Sequence, residues 1–195
     1  MNLAHNPTLA LIVAVLATVV PVFFGRLKRT PPFLSLQAMA LGWLTLHAHD
    51  TLDLHAAAAG LEVLLIRAWL VPRLLQRTLR QHPAAYQEVL PSNLFAWGLA
   101  VGLIILAFQF GDGARADLRA LVLGVIAATV VVAFVVLATN DEPAAQLVAL
   151  LFMENAVALF ETLMPEPWPL PVHLAVSGVY VGTVAVGCWL VKDKA

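Results

Sequence analysis

The sequence predicts an all-α integral membrane protein. It reads as a bundle of about seven transmembrane helices, with the N-terminus outside and the C-terminus cytoplasmic. Three observations carry this expectation. Of the 195 residues, 61% are hydrophobic and only 12% charged, with a mean hydropathy of +0.87; soluble domains hold about 45–50% apolar and about 25% charged residues. Apolar runs near bilayer length alternate with short polar breaks. The basic residues gather in alternate breaks. The formal net charge is −1, so no basic surface points to nucleic acid.

A spanning helix needs about 20 apolar residues, within roughly 17–25. The expected spans are 8–24, 33–47, 54–75, 94–110, 118–139, 144–164 and 170–191. The first follows "MNLAHNPT", which has no Lys or Arg, and precedes "RLKRT". A secretory signal carries its positive charge before the apolar core, so 8–24 reads as a retained helix with its N-terminus outside. The second is short, and reads as a less tilted or partly re-entrant span. The third carries Glu62 and Arg67 within its apolar run. The fourth contains "GLAVG", and the fifth, "LVLGVIAATVVVAFVVLAT", has no internal charge and reads as a packing or lipid-facing helix. The sixth holds "LLFMENAVALFE" and the seventh "GVYVG". Glycines four apart, Gly98 with Gly102 and Gly178 with Gly182, suit close helix approach, and ordinary glycine use in membrane helices accounts for them equally well.

Each break mixes charge with Pro, Gly, Asp or Asn, the usual punctuation. No long linker divides the chain, so 1–195 is expected to form one helical domain. Arg26, Lys28 and Arg29 follow the first span, Arg73, Arg77 and Arg80 lie at the third, and Lys192 and Lys194 end the chain. Seven spans put all of them on one side, which is cytoplasmic by the positive-inside rule. Only Arg115 and Arg119 fall opposite.

Glu62, Arg67 and Glu154 fall well inside expected helices. At about 1.5 Å per residue, Arg67 lies roughly 12 Å, Glu154 roughly 15 Å and Glu62 about 20 Å from the cytoplasmic end. Burying such a charge costs about 2.5–3.5 kcal/mol on insertion scales, and such residues pair with one another or mark ion and proton paths. Carboxylates away from water hold protons more tightly, and a neighbouring cation loosens them. Glu154, followed by Asn155 and then by Glu161 two turns on along the same face, fits a relay. A fixed Glu154–Arg67 ion pair that joins helices is the alternative.

His5, His47, His49, His55 and His173 map to the outer side, and His82 to the inner. "HAHDTLDLH" adds Asp50 and Asp53. Such a cluster suits an outer proton exit, since histidine titrates near neutral pH. It also supplies the ligand types of a metal site, and a polar loop facing solvent or a partner accounts for it as well. No metal or cofactor is assigned. The single cysteine, Cys188, closes no disulfide within the chain and cannot alone hold an iron–sulfur cluster. A membrane cytochrome with two axial histidines, or a quinone-reducing enzyme, is the remaining class. The histidines sit at helix ends and loops rather than in pairs within helices.

"QLVALLFMENAVAL" followed by "PLPVHLAVSGVYVGTVAVG" resembles the C-terminal half of the hydrogenase-4 component E family, with Gln146, Glu154, Asn155 and Pro169 on its pattern. The stretch "SLQAMALGW … LEVLLIRAWLVPRLL" resembles it too, through Gln37, Arg67 and Pro72. That family is related to the small K subunit of respiratory complex I and to antiporter C subunits, and 144–191 is the K-subunit-like part. The resemblance implies a non-catalytic membrane-arm subunit of a complex I-like or group 4 hydrogenase-like oxidoreductase in the inner membrane. It would have no cofactor of its own and would bridge antiporter-like and other membrane-arm subunits, with peripheral redox subunits as indirect partners. It implies a proton or sodium path through Glu154, with Arg67, Glu62, Glu161, Asn155, His173 and Tyr180. Arg67 stands where the family usually has Lys, His173 where it has Glu, and Tyr180 where it has an acid. A purely structural subunit, a subunit of a cation/proton antiporter and a subunit of a carbon-uptake complex are the alternatives.

Overall fold

The computed structural model describes residues 7–48, 54–80, 82–112, 117–164 and 168–193. Among these residues the chain is all-helical, with no strands. Six of the seven expected segments lie within a helical rod, and the other, 144–164, runs one residue past the end of its rod at Leu163. The rods are α1 (Pro7–Phe24), α2 (Thr30–Ala48), α3 (Leu54–Leu79), α4 (Leu94–Asp112), α5 (Leu118–Thr139), α6 (Pro143–Ala158, extended by a 3-10 turn, Leu159–Leu163) and α7 (Leu170–Asp193). Among the described residues, four helices are long and apolar enough to cross a membrane: Pro7–Phe24, Leu118–Thr139, Pro143–Glu161 and Pro171–Asp193. In α4 the stretch Leu94–Gln109 is apolar but shorter. The rod α3 carries Glu62 and Arg67 mid-length, and α2 carries Gln37.

The helix starts follow from local chemistry. The N-terminal amides of a helix have no partner within it, and side-chain oxygens supply one. Asp117 Oδ1 accepts from the Ala120 amide at 2.7 Å, and Asn93 Oδ1 from the Ala96 amide at 2.6 Å. Pro31 and Pro143 sit in the first turns of α2 and α6, where a missing N–H costs nothing. At the end of α1, the Gly25 amide bonds back to the Pro21 carbonyl at 2.9 Å. A Cβ there would collide with that same carbonyl, so the turn requires glycine.

The rod α3 is not a simple α-helix. Leu54–Glu62 and Val71–Leu79 are α-helical, but Val63–Leu70 between them is a π-helix. The Val71 amide reaches Ile66 O, five residues back. Pro72 follows directly and has no N–H to bond the carbonyl four residues earlier, with which its ring would clash. The widened turn lies on the N-terminal side of that proline.

Apolar side chains form two clusters stacked along the bundle. One contains Val22, Leu27, Leu34, Val71, Val132, Phe152 and Tyr180. The other contains Leu11, Leu41, Val63, Ile126, Ala158 and Leu159. On α1, α2, α3, α5 and α6 the residues between these sets are buried and polar: Thr18, Gln37, Arg67, Thr129 and Asn155. A polar layer therefore crosses the bundle at mid-height.

At one end the breaks after α1 and α3 join. Arg26 bridges Glu88, the Leu27 amide donates to Gln87 O at 3.0 Å, and the Leu90 amide donates to Val22 O at 3.2 Å. The Asn140 amide group after α5 donates to Val89 O at 2.8 Å. Lys28 lies 3.8 Å over the Tyr86 ring and Arg73 4.4 Å over Trp69. Phe23 and Phe24 meet Trp97 edge-on at the same end.

The expected glycine pairs do not pack within the chain. A Cβ at Gly98, Gly102, Gly178 or Gly182 would meet nothing within 4 Å. Close approach occurs instead at Gly60 against Leu46, Gly124 against Phe108 and Gly187 against Leu147. Helix spacing is thus set by single glycines facing large side chains.

Candidate functional site

The polar layer converges on Arg67. Its side chain is 2% exposed. Nε donates to Glu62 Oε1 at 3.3 Å. Nη1 donates to Asn155 Oδ1 at 3.2 Å and to the Glu154 backbone carbonyl at 3.5 Å. The guanidinium lies 4.4 Å over the ring of the fully buried Tyr180. The π-helical turn makes the ion pair possible. Residues five apart lie about 140° apart around an α-helix of 3.6 residues per turn, whereas the wider i→i+5 turn brings them closer to one face.

From Arg67 the hydrogen bonds run outward through α6, α2 and α1. Asn155 Nδ2 donates to Gln37 Oε1 at 3.0 Å, and Gln37 Nε2 donates to Thr18 Oγ1 at 2.9 Å. The Thr18 hydroxyl donates to the Ala14 carbonyl at 3.3 Å. With donors and acceptors matched along this line, each amide has one orientation. A buried polar line of this kind fixes helix register as well as charge.

Arg67 and Glu154 meet at one depth, as the spacing along their helices implies, but not as an ion pair. The carboxylate paired with Arg67 is Glu62, and Glu154 offers the guanidinium only its main-chain oxygen. The Glu154 side chain turns to α7 instead, where Oε1 accepts from the Thr183 hydroxyl at 2.7 Å. Its Oε2 is buried without a hydrogen-bond partner among the described residues. Asn155, the next residue, points about 100° further around the helix, which carries it to Arg67 and Gln37.

Glu161 forms a second centre. Its Oε1 lies 2.7 Å from His173 Nε2 and accepts the Trp168 amide at 3.2 Å. Both side chains of this pair are buried. Glu154 and Glu161 both face α7, yet their partners Thr183 and His173 are ten residues apart, about 15 Å along that helix. Glu154 and Glu161 thus share the side facing α7 at different heights, while Asn155 turns to Arg67 and Gln37.

Gln37 was legible through the family resemblance. Thr18, Thr183, Trp168 and Ser177 were not singled out, and their only signal is a lone polar group in or beside an apolar run. The outer cluster residues His5, His49, Asp50 and Asp53, and also Arg115 and Lys194, lie outside the described residues, as do the side chains of His47 and His55. Among the described residues no group of three or more His, Cys, Asp or Glu is placed to hold a metal. His82 caps the 3-10 turn Pro83–Tyr86, its Nδ1 accepting from the Ala84 amide at 3.1 Å. Gln146 donates to Asn140 O at 3.1 Å.

Fold and site together define an all-helical protein with membrane-length apolar helices packed around a buried layer of charge and amides. No family model, curated protein or solved structure matches the chain.

Proposed function

We propose that the chain is a non-catalytic membrane-arm subunit of a complex I-like or group 4 hydrogenase-like ion pump, of the hydrogenase-4 component E type. The observation that carries this reading is the mid-height polar layer, with Arg67 buried and Glu62 and Glu154 half-buried in a bundle that includes four helices long enough to cross a bilayer. Charges at that depth are costly and mark ion or proton paths. In this reading Glu154 carries the proton and Arg67 is the fixed charge beside it. Glu62 and the Glu161–His173 pair extend the path. All seven rods cross the inner membrane, with the N-terminus outside. The joining of the breaks after α1, α3 and α5 at one end, with arginines in the first and at the end of α3, supports that orientation. The unfilled space at Gly178 and Gly182, on a helix exposing Val179, Val186 and Trp189, supports a partner subunit against α7.

The test is Glu154→Gln in the native complex. Redox-coupled ion movement is expected to be lost while the complex stays assembled, and unimpaired pumping would end the reading. One observation favours a purely structural subunit. Arg67 is held by an acid, an amide, a carbonyl and a ring at once, as a fixed joint would be. Full pumping in the Glu154→Gln complex is the signature of that reading.

A further inference from the structure

Between the two charged centres lies a small cavity of about 10 Å³, close to the room one water molecule needs. Glu62 and Arg67 line one side, Glu161 and His173 the other, and Thr45 and Ser177 complete its polar wall. Glu154 does not border it. The Ser177 hydroxyl is buried, its residue 5% exposed, and has no hydrogen-bond partner among the described residues. An orphaned hydroxyl costs about 1–3 kcal/mol, and buried waters typically occupy polar gaps where they make about three hydrogen bonds. An acid on each side and a hydroxyl on the wall supply those partners.

We infer that this cavity is a water site joining Glu161–His173 to Glu62–Arg67. The outer pair therefore exchanges protons with Glu62, and Glu154 stands on a separate branch facing α7. The inference rests on the proton-path reading and gives it a connectivity. The transfer needs no co-reactant. The O–H bond of protonated Glu161 breaks as the water gains that proton. One of the water's own O–H bonds breaks as Glu62 gains a proton. One proton has moved, the water is restored, and the step runs equally in reverse. Arg67 keeps Asn155, the Glu154 carbonyl and Tyr180 while Glu62 is neutral.

The chain has three serines, Ser35, Ser92 and Ser177, so a serine-selective carbon label gives a spectrum that Ser177→Ala assigns. The full chain in lipid nanodiscs should show magnetisation transfer from water to Ser177. Ala158→Leu, which adds bulk to the cavity wall, should abolish that transfer. No transfer to Ser177 in the unaltered chain means a dry cavity and overturns the inference, whatever Ala158→Leu does to folding. In the native complex, Ala158→Leu should slow ion movement by about a hundredfold, the scale of a lost proton-transfer group. An unchanged rate with the water gone overturns the relay while leaving the pump reading intact. Failure of the pump reading itself shows separately, as full activity in Glu154→Gln.

Discussion

The two buried ion pairs of this bundle are built in opposite ways. Glu62 and Arg67 sit five residues apart on one rod, joined by a widened turn. Glu161 and His173 sit twelve residues apart on successive rods, joined across the turn between them. The first pair is further clamped by α6 and α7. In the second, the carboxylate oxygen also accepts the Trp168 amide. The contrast separates a pair fixed by several helices from one held between two successive rods.

Substitutions can break this contrast. Arg67→Ala leaves the half-buried Glu62 and the buried Asn155 without their guanidinium partner, and should cost about 3–5 kcal/mol. Chemical unfolding in detergent measures it, and Glu62→Gln in the same background should recover part of the loss. A full-strength bundle after Arg67→Ala would show that the pair is not the clamp. His173→Ala should cost less, about 1.5–3 kcal/mol, the range for a hydrogen bond to a charged group. Asn155→Ala breaks the line between Arg67 and Gln37 and should cost about 1–3 kcal/mol. Equal losses from His173→Ala and Arg67→Ala would erase the distinction drawn here.

The smallest effects test the glycines. Gly187→Ala drives a methyl into Leu147 and should cost about 1–3 kcal/mol as overpacking. Gly178→Ala meets open space; in the isolated chain it should be neutral or stabilise the helix by up to about 1 kcal/mol. In the native complex the same change should weaken assembly if a partner helix lies against α7. Co-purification of a tagged copy reads that out.

The helices were legible because apolar run length and polar punctuation are properties of the chain alone. The depths of Arg67 and Glu154 were legible for the same reason, since rise per residue is constant. Direction around each helix was not. The π-helical turn at Val63–Leu70 moves Arg67 toward Glu62, and no residue count under an α-helical assumption shows that. The 3-10 turn at Leu159–Leu163 likewise changes the winding before Glu161. The Glu161–His173 contact joins two successive rods, and two isolated residue types do not announce it. The glycines that set helix spacing were missed because each works against a single large side chain, without a repeat to mark it.

The π-helical turn has a consequence for kinship. A wide turn accommodates an extra residue without lengthening the rod in proportion. Deleting one residue between Val63 and Leu70 would let the rod rewind as a plain α-helix. A deletion after Arg67 would leave Glu62 and Arg67 five residues apart on a plain α-helix, about 140° apart around its axis, whereas a deletion before Arg67 would leave them four apart, about 40° apart. A relative with an ordinary third helix would therefore align to this chain only across a one-residue gap, placed beside the buried arginine. Only a gap on the far side of the arginine from Glu62 separates chains that lose the acid beside this cation from chains that keep it.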